Sequence, residues 1–404
     1  MKPLVVIPQY FGSLVFDRRA SRYTPFDRDA TALLVRAIDT PVYALGHADF
    51  VATFERAGFF RPDGRLAGVL LPAEPPLDHL LGPLAVHVEV VAACNLSCRH
   101  CFAGELPRKT TLTLGELDRL FGELARLGSF RIGLTGGEPL LRKDLLDVID
   151  AATAHGLHPC LTTNGLLLDE HMARELGKRE LVWINVSLDG ACAATNDGVR
   201  GAGTFDAVVA RVREVGRHML FTLAFTITSA SAGEVEACAQ LARELGAHTA
   251  VFRPLYPVGV ARAHRDLEPT FAQYTEALQR LIGDCWSPTL RAETQAATYA
   301  GPGCGAANLV ASVSATGDVN PCSFLGAAFE SGNIRDRPFS EIWRAGHAFR
   351  RLREQRGEFR GGCRARALAV HGDAFARDPW HDAWLGDGAL GPTTNLRRHL
   401  PVLP

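Results

Sequence analysis

Six short apolar runs alternate with amphipathic stretches through the middle of this chain, and that alternation constrains the fold more than any other feature. The runs are "VHVEV", "RIGLTG" (131–136), "HPCLTTN" (158–164), "VWINVSLD" (182–189), "LFTLAFTIT" (220–228) and "TAVFRPLY" (249–256). The stretch "TLGELDRLFGELARLG" at 113–128 shows the helical type. Thr113 and Glu116 form a capping-box pattern, and Leu114, Leu117, Phe121 and Leu124 recur at helical spacing. Further helices are expected to start near Asp144, Asp169, Thr204, Gly233 and Thr270. Strands alternating with helices imply parallel βα units joined by right-handed crossovers. Six units are two short of the eight that close a full barrel. The expected fold class is therefore α/β, a partial (β/α)6 TIM-type barrel over residues 81–289.

Two smaller units flank this barrel. Before the proline-rich "PAEPP" at 72–76, residues 1–80 read as a winged-helix-like domain. "LVVIP" and "SLVFD" suggest a hairpin, and Asp27 is a helix N-cap before "DRDATALLVRAID". A second helix fits "ADFVATFERAG", and "RPDGR" is a tight turn, the wing. From about residue 290 glycine and cysteine become frequent and periodicity weakens, so residues 290–382 read as a small domain organised by a metal site. Residues 383–404 read as a tail.

The formal net charge of −1 implies no bulk attraction to nucleic acid or anionic membrane. No run reaches the length of a transmembrane helix, and the N-terminus makes a poor signal peptide. A cytoplasmic protein is expected. Ten cysteines in 404 residues are far from a disulfide scaffold and point to a reducing compartment. Cys160, Cys192, Cys238 and Cys285 stand singly and read as small buried hydrophobes.

The others carry chemistry. "CNLSCRHC" sets Cys94, Cys98 and Cys101 at C-x3-C-x2-C spacing, directly after the first barrel strand. In parallel βα folds the chemistry lies at the C-terminal ends of strands. Three thiolates can hold a 4Fe–4S cluster and leave one iron without a protein ligand. Zinc is the competing reading; it needs a fourth ligand, which His100 or a distant residue would have to supply.

This loop resembles the cluster loop of the radical S-adenosylmethionine (radical SAM) enzymes, with His100 in place of the usual aromatic residue before the third cysteine. The resemblance implies that S-adenosylmethionine (SAM) binds the open iron and is reductively cleaved to a 5′-deoxyadenosyl radical that abstracts a substrate hydrogen. It implies further SAM contacts at the strand ends. "GGEP" supplies Gly136, Gly137, Glu138 and Pro139, whose first three residues offer acceptors to the SAM ammonium. "TTNG" supplies Asn164, "SLDG" supplies Ser187 and Asp189, and "DGVRGAGTF" supplies Arg200, a charged donor for a carboxylate.

The C-terminal part resembles the SPASM and twitch extensions, in which one cysteine precedes a G-x4-C hairpin, here Gly317 to Cys322. Full SPASM domains carry seven cysteines for two auxiliary clusters. This chain offers Cys304, Cys322 and Cys363, with Arg350, Arg353 and Phe359 at three other cysteine positions and the late D-P-x-C cysteine replaced by Trp380 or missing. One auxiliary 4Fe–4S cluster with three cysteine ligands is implied. Relatives with this extension include peptide maturases of the mycofactocin and pyrroloquinoline quinone type. The expected substrate is thus a ribosomally made peptide, whose leader would bind the N-terminal domain; Phe11, Phe16 and Tyr23 are candidates for that groove, with core packing the favoured place for Phe16. A tetrapyrrole or a small-molecule alcohol is the alternative substrate, and a flavodoxin- or ferredoxin-type protein the expected reductant. A non-catalytic metal-binding scaffold is the remaining reading.

Overall fold

The structure, a computed structural model, describes residues 3–45, 55, 58–104, 111–284, 291–294, 304–354 and 361–387. Two sheets organise it. The first has four strands in the order β3-β2-β1-β4. β1 (Leu4–Gln9), β2 (Gly12–Asp17) and β3 (Arg22–Asp27) form an antiparallel meander, and β4 (Gly68–Leu70) pairs parallel with β1. Asp27 caps helix Arg28–Asp39 by accepting from the Ala30 N–H, and the turn 61–65 closes the wing, with Phe60 bridged to Leu66. β3 is a strand that the sequence pattern did not reveal. The expected second helix falls largely outside the described residues.

The N-terminal sheet is packed onto the barrel. Phe16 is fully buried and stacks on Phe130, at 4.9 Å between ring centroids. The Tyr23 hydroxyl donates to Gly128 O (2.8 Å) and accepts from Phe130 N (2.7 Å). Phe16 thus takes the core position favoured for it, whereas Tyr23, expected as a candidate for a peptide groove, sits beside it in the joint with the barrel. The reason is that β2 and β3 turn one face inward, and the apolar rings on it bury against the 128–130 loop.

The second sheet runs β11-β10-β9-β8-β7-β6-β5-β12-β13. Its middle is the barrel: β5 (Ala85–Val91), β6 (Arg131–Gly136), β7 (His158–Thr163), β8 (Ile184–Ser187), β9 (Phe221–Ile227) and β10 (Thr249–Pro254), all parallel and in chain order. Period-two alternation divides each strand. Val86, Val88 and Val90 join the core with Leu117, Leu120 and Phe121 of helix Leu114–Arg126. Alternate residues, among them Thr135, Thr162, Asn185 and Ser187, line a cavity inside. Small or polar side chains there leave room where a full barrel would be packed with branched apolar ones.

Neither edge of this barrel is bare. β11 (Arg291–Thr294) extends it beyond β10. At the other edge β12 (Val310–Val313) pairs parallel with β5, and β13 (Val319–Asn320) completes a hairpin. The C-terminal part then continues through helices Phe339–Ala345, His347–Glu354, Arg364–His371 and Pro379–Asp387. The last of these runs into the expected tail, and residues 388–404 lie outside the described residues. Among the described residues no helix is long and apolar enough to cross a membrane.

Candidate active site

The cysteine loop leaves β5 at the C-terminal mouth of the barrel and is held from several sides. Gly137 N donates to Val91 O and Glu138 N to Ala93 O, both at 2.9 Å. This contact is why two glycines end β6. A Cβ on Gly136, at φ +139°, would lie 2.2 Å from Val91 O, and one on Gly137 would lie 2.2 Å from Ala93 O. On another side Arg99 N donates to Val199 O (3.0 Å), and Val260 N donates to Cys101 O (2.9 Å).

Cys94, Cys98 and Cys101 open on the barrel cavity, together with His100, Gly136 and Gly137. The cavity has a volume of about 240 Å³. Burial pushes the Cys98 thiol up to about 11, and its two sister thiols add to the effect. The three are thus electrostatic neighbours. Yet among the described residues no three His, Cys, Asp or Glu side chains converge as they would around a single metal ion. Three thiols that open on one cavity can hold a multi-iron cluster, whose ligands attach to separate irons.

Behind the loop lies a buried ion network. Asp189 is fully buried; its Oδ2 is 2.6 Å from Arg200 Nε and 2.8 Å from His100 Nε2, and its Oδ1 accepts from Thr226 N at 2.7 Å. Burial alone would raise the Asp189 carboxyl, but Arg200, His100 and the Thr226 N–H outweigh it and hold the group well below the usual carboxylate range. Asp189 therefore orients Arg200 and His100, both of which line the cavity. With its Nε2 on Asp189, His100 keeps a buried Nδ1 that has no hydrogen-bond partner among the described residues.

Glu138 is placed differently from the cavity glycines. Its buried carboxylate accepts from Thr163 Oγ1 (2.7 Å), Asn164 N (2.7 Å) and Leu140 N (3.0 Å). It braces the ends of β6 and β7, with Pro139 buried behind it. Asn164 lines the cavity and also donates to Asn95 Oδ1 of the cysteine loop at 2.7 Å. Ser187 faces the cavity from the end of β8.

The second cysteine set lies on the C-terminal side. Burial raises the Cys322 thiol to about 12, with Cys304 adding to the effect; Cys363 is pushed up by burial and by Cys304, with Arg366 opposing. The three again sense one another. Cys363 caps helix Arg364–His371, and its N–H donates to the buried Asp378 carboxylate at 2.6 Å. Arg353, at one of the missing cysteine positions, is sandwiched against Trp343 (4.4 Å) and Phe349 (5.6 Å) and donates to Ala307 O. Aromatic packing thus fills that position; Phe359 lies outside the described residues. Strict D-P-x-C spacing falls on His381, not on Trp380. His381 is buried, its Nδ1 has no hydrogen-bond partner among the described residues, and its ring abuts Gly361. Of the single cysteines, Cys238 is buried as expected, whereas Cys192 is exposed at a helix N-cap.

Sequence reasoning missed Phe102 and Phe324, which with Tyr256 form an aromatic wall that joins the two cysteine sets. Phe324, two residues after Cys322, packs on Phe102 (5.1 Å) and Tyr256 (5.0 Å), and all three rings line the cavity. Their separation in the chain, at three loop positions, gives no local periodicity to detect.

Residues 88–246 match the radical SAM superfamily, and residues 304–365 match the SPASM iron-sulfur cluster-binding domain. The chain is 30% identical over 344 residues to the mycofactocin maturase MftC of Mycobacterium ulcerans, covering 79% of this chain and 92% of that one. The chain belongs to the radical SAM superfamily. This radical SAM enzyme is also 30% identical over 337 residues to an AdoMet-dependent heme synthase of Methanosarcina barkeri (74% of this chain, 96% of that one). Its fold resembles that of Streptococcus suis SuiB bound to precursor peptide SuiA, with a TM-score of 0.74 at 14% identity over 94% of this chain and 98% of that one. Membership brings a 4Fe–4S cluster and SAM as cofactors, and the SPASM domain brings an auxiliary cluster.

Proposed function

We propose that this radical SAM enzyme modifies a ribosomally synthesised peptide, abstracting hydrogen from one of its carbons. The observation that carries the reading is the similarity to a mycofactocin maturase, which covers 79% of this chain and 92% of that one. The N-terminal sheet supports it. Among the described residues β3 pairs only with β2, so its outer edge offers backbone N–H and C=O groups to an added strand. In this reading the leader segment of the peptide adds there, and the reacting segment enters the barrel cavity.

Cys94, Cys98 and Cys101 would hold the SAM-binding cluster, and Cys304, Cys322 and Cys363 the auxiliary one. When bound and reduced, the first cluster supplies the electron that cleaves SAM to the hydrogen-abstracting 5′-deoxyadenosyl radical. This chain's own residues do the rest. The Gly136 and Gly137 backbone, Asn164, Ser187 and Arg200 surround the SAM position; Glu138 and Asp189 brace them. Phe102, Tyr256 and Phe324 keep water from the reacting segment. The electron donor is a flavodoxin- or ferredoxin-type protein, in the cytoplasm.

The test uses the full-length enzyme, reconstituted anaerobically with iron and sulfide. It is given SAM, a flavodoxin reducing system and, one at a time, any short peptides encoded beside its gene. Peptide-dependent release of 5′-deoxyadenosine with a mass change in the peptide is expected. Release that responds to an iron porphyrinoid and never to peptide would overturn the reading in favour of a tetrapyrrole substrate.

A further inference from the structure

The cavity carries two guanidinium groups whose surroundings differ. Arg200 is buried and paired with Asp189. Arg253, on β10, is open to the cavity, and among the described residues its guanidinium has neither an ion-pair nor a hydrogen-bond partner. The two cations also act on different places. The charge of Arg200 is felt by Cys98, at the cysteine loop. That of Arg253 is felt by His87 on β5 and Cys160 on β7, inside the barrel. Burial, followed by the Arg253 charge, brings His87 down to about 4, so this imidazole is neutral near pH 7 and adds no second positive charge. Beside Arg253 the chain continues as Pro254, Leu255 and Tyr256, and Tyr256 belongs to the aromatic wall with Phe102 and Phe324.

An uncompensated guanidinium next to an aromatic wall suits an anion carried by an apolar group. Its planar fork matches a carboxylate in two parallel hydrogen bonds. We propose that Arg253 is the residue that recognises a carboxylate of the substrate, with the carrier's apolar part held against Phe102, Tyr256 and Phe324. For the molecule that carries the carboxylate, the proposal rests on the peptide reading. There the group is either an acidic side chain or the chain terminus.

SAM-loaded holoenzyme is titrated calorimetrically with three probes: N-acetyl-Glu-Phe-amide, N-acetyl-Gln-Phe as the free acid, and neutral N-acetyl-Gln-Phe-amide. At least one carboxylate probe should bind about tenfold or more tighter than the neutral one, the scale of one charge-assisted contact. The tighter probe identifies the source as side chain or terminus. Arg253→Gln should abolish the preference, and Arg253→Lys should keep part of it. Equal binding or no binding of all probes, with no preference for 3-phenylpropanoate over its amide either, overturns the proposal. So does a preference that survives in Arg253→Gln. Loss in that variant of the SAM-induced change in the cluster's electron paramagnetic resonance signal also overturns it, by giving the guanidinium to SAM. If 3-phenylpropanoate is preferred over its amide while no dipeptide binds, the carboxylate site stands and the peptide reading falls.

Discussion

At the scale of single residues, the site depends on close backbone approach and on one buried carboxylate. Gly137→Ala would drive a methyl group into Ala93 O, and the cysteine loop must move to accommodate it. Reconstituted Gly137→Ala should therefore lose iron at Cys94, Cys98 and Cys101 while retaining the auxiliary cluster, as counted by iron analysis and electron paramagnetic resonance. Asp189→Asn leaves Arg200 buried without its counter-charge, a loss on the order of 3–5 kcal/mol. A lower denaturation midpoint and a weaker SAM-dependent spectral change are expected together, because His100 and Arg200 lose the same anchor. The sequence made these residues legible as a set, since motif spacing marks strand ends. It did not assign their partners. Glu138 offers acceptors in the sequence, yet its carboxylate is satisfied by Thr163 and by the backbone of Asn164 and Leu140, a choice set by how β6 and β7 end side by side.

At the scale of elements, helix Leu114–Arg126 shows how local signals and long-range contacts combine. Its capping box is present, with Thr113 Oγ1 accepting from Glu116 N and the Glu116 carboxylate accepting from Thr113 N at 2.7 Å. The same carboxylate is 2.6 Å from Arg335 Nε in the C-terminal part. Arg335, followed by the capping N–H, brings the Glu116 carboxyl down to about 2. A depressed carboxyl stabilises the fold fully above its unfolded value, about 4.3, and the contribution fades as pH falls toward 2. Glu116→Gln keeps the cap and removes the charge. The difference in denaturation midpoint between wild type and variant should be constant above about pH 5 and shrink as pH is lowered toward 3; a difference independent of pH would rule out the ionic link. Periodicity and caps located the barrel strands and their helices because each carries its own pattern. β3 was hidden because "RYTPFD" has polar residues and a proline, and it is held by pairing with β2 rather than by apolar alternation.

At the scale of the molecule, three units share two joints. Tyr23 spans the first, between the N-terminal sheet and the barrel. Tyr23→Phe removes a donor from Gly128 O and an acceptor from Phe130 N, both buried, and should cost about 1–3 kcal/mol in denaturant unfolding. Arg366 spans the second. Fully buried, it bonds Glu268 (2.7 Å) and Leu255 O (3.2 Å) on the barrel and stacks on Trp380 at 3.5 Å. Neither joint was legible in the sequence, because each pairs residues about a hundred positions apart with no shared motif. The expected architecture was legible, since βα alternation and the cysteine spacing are both local patterns.

The pairing of β12 with β5 orders events during synthesis. β5, which leads into the cysteine loop, leaves the ribosome before any other barrel strand, yet one of its two neighbours is β12, made after all of them. Until then the strand bearing the cysteine loop is an open edge, able to pair with another chain. The nascent enzyme thus carries its metal-binding loop beside an unpaired strand edge, and pairing of the C-terminal hairpin ends that exposure.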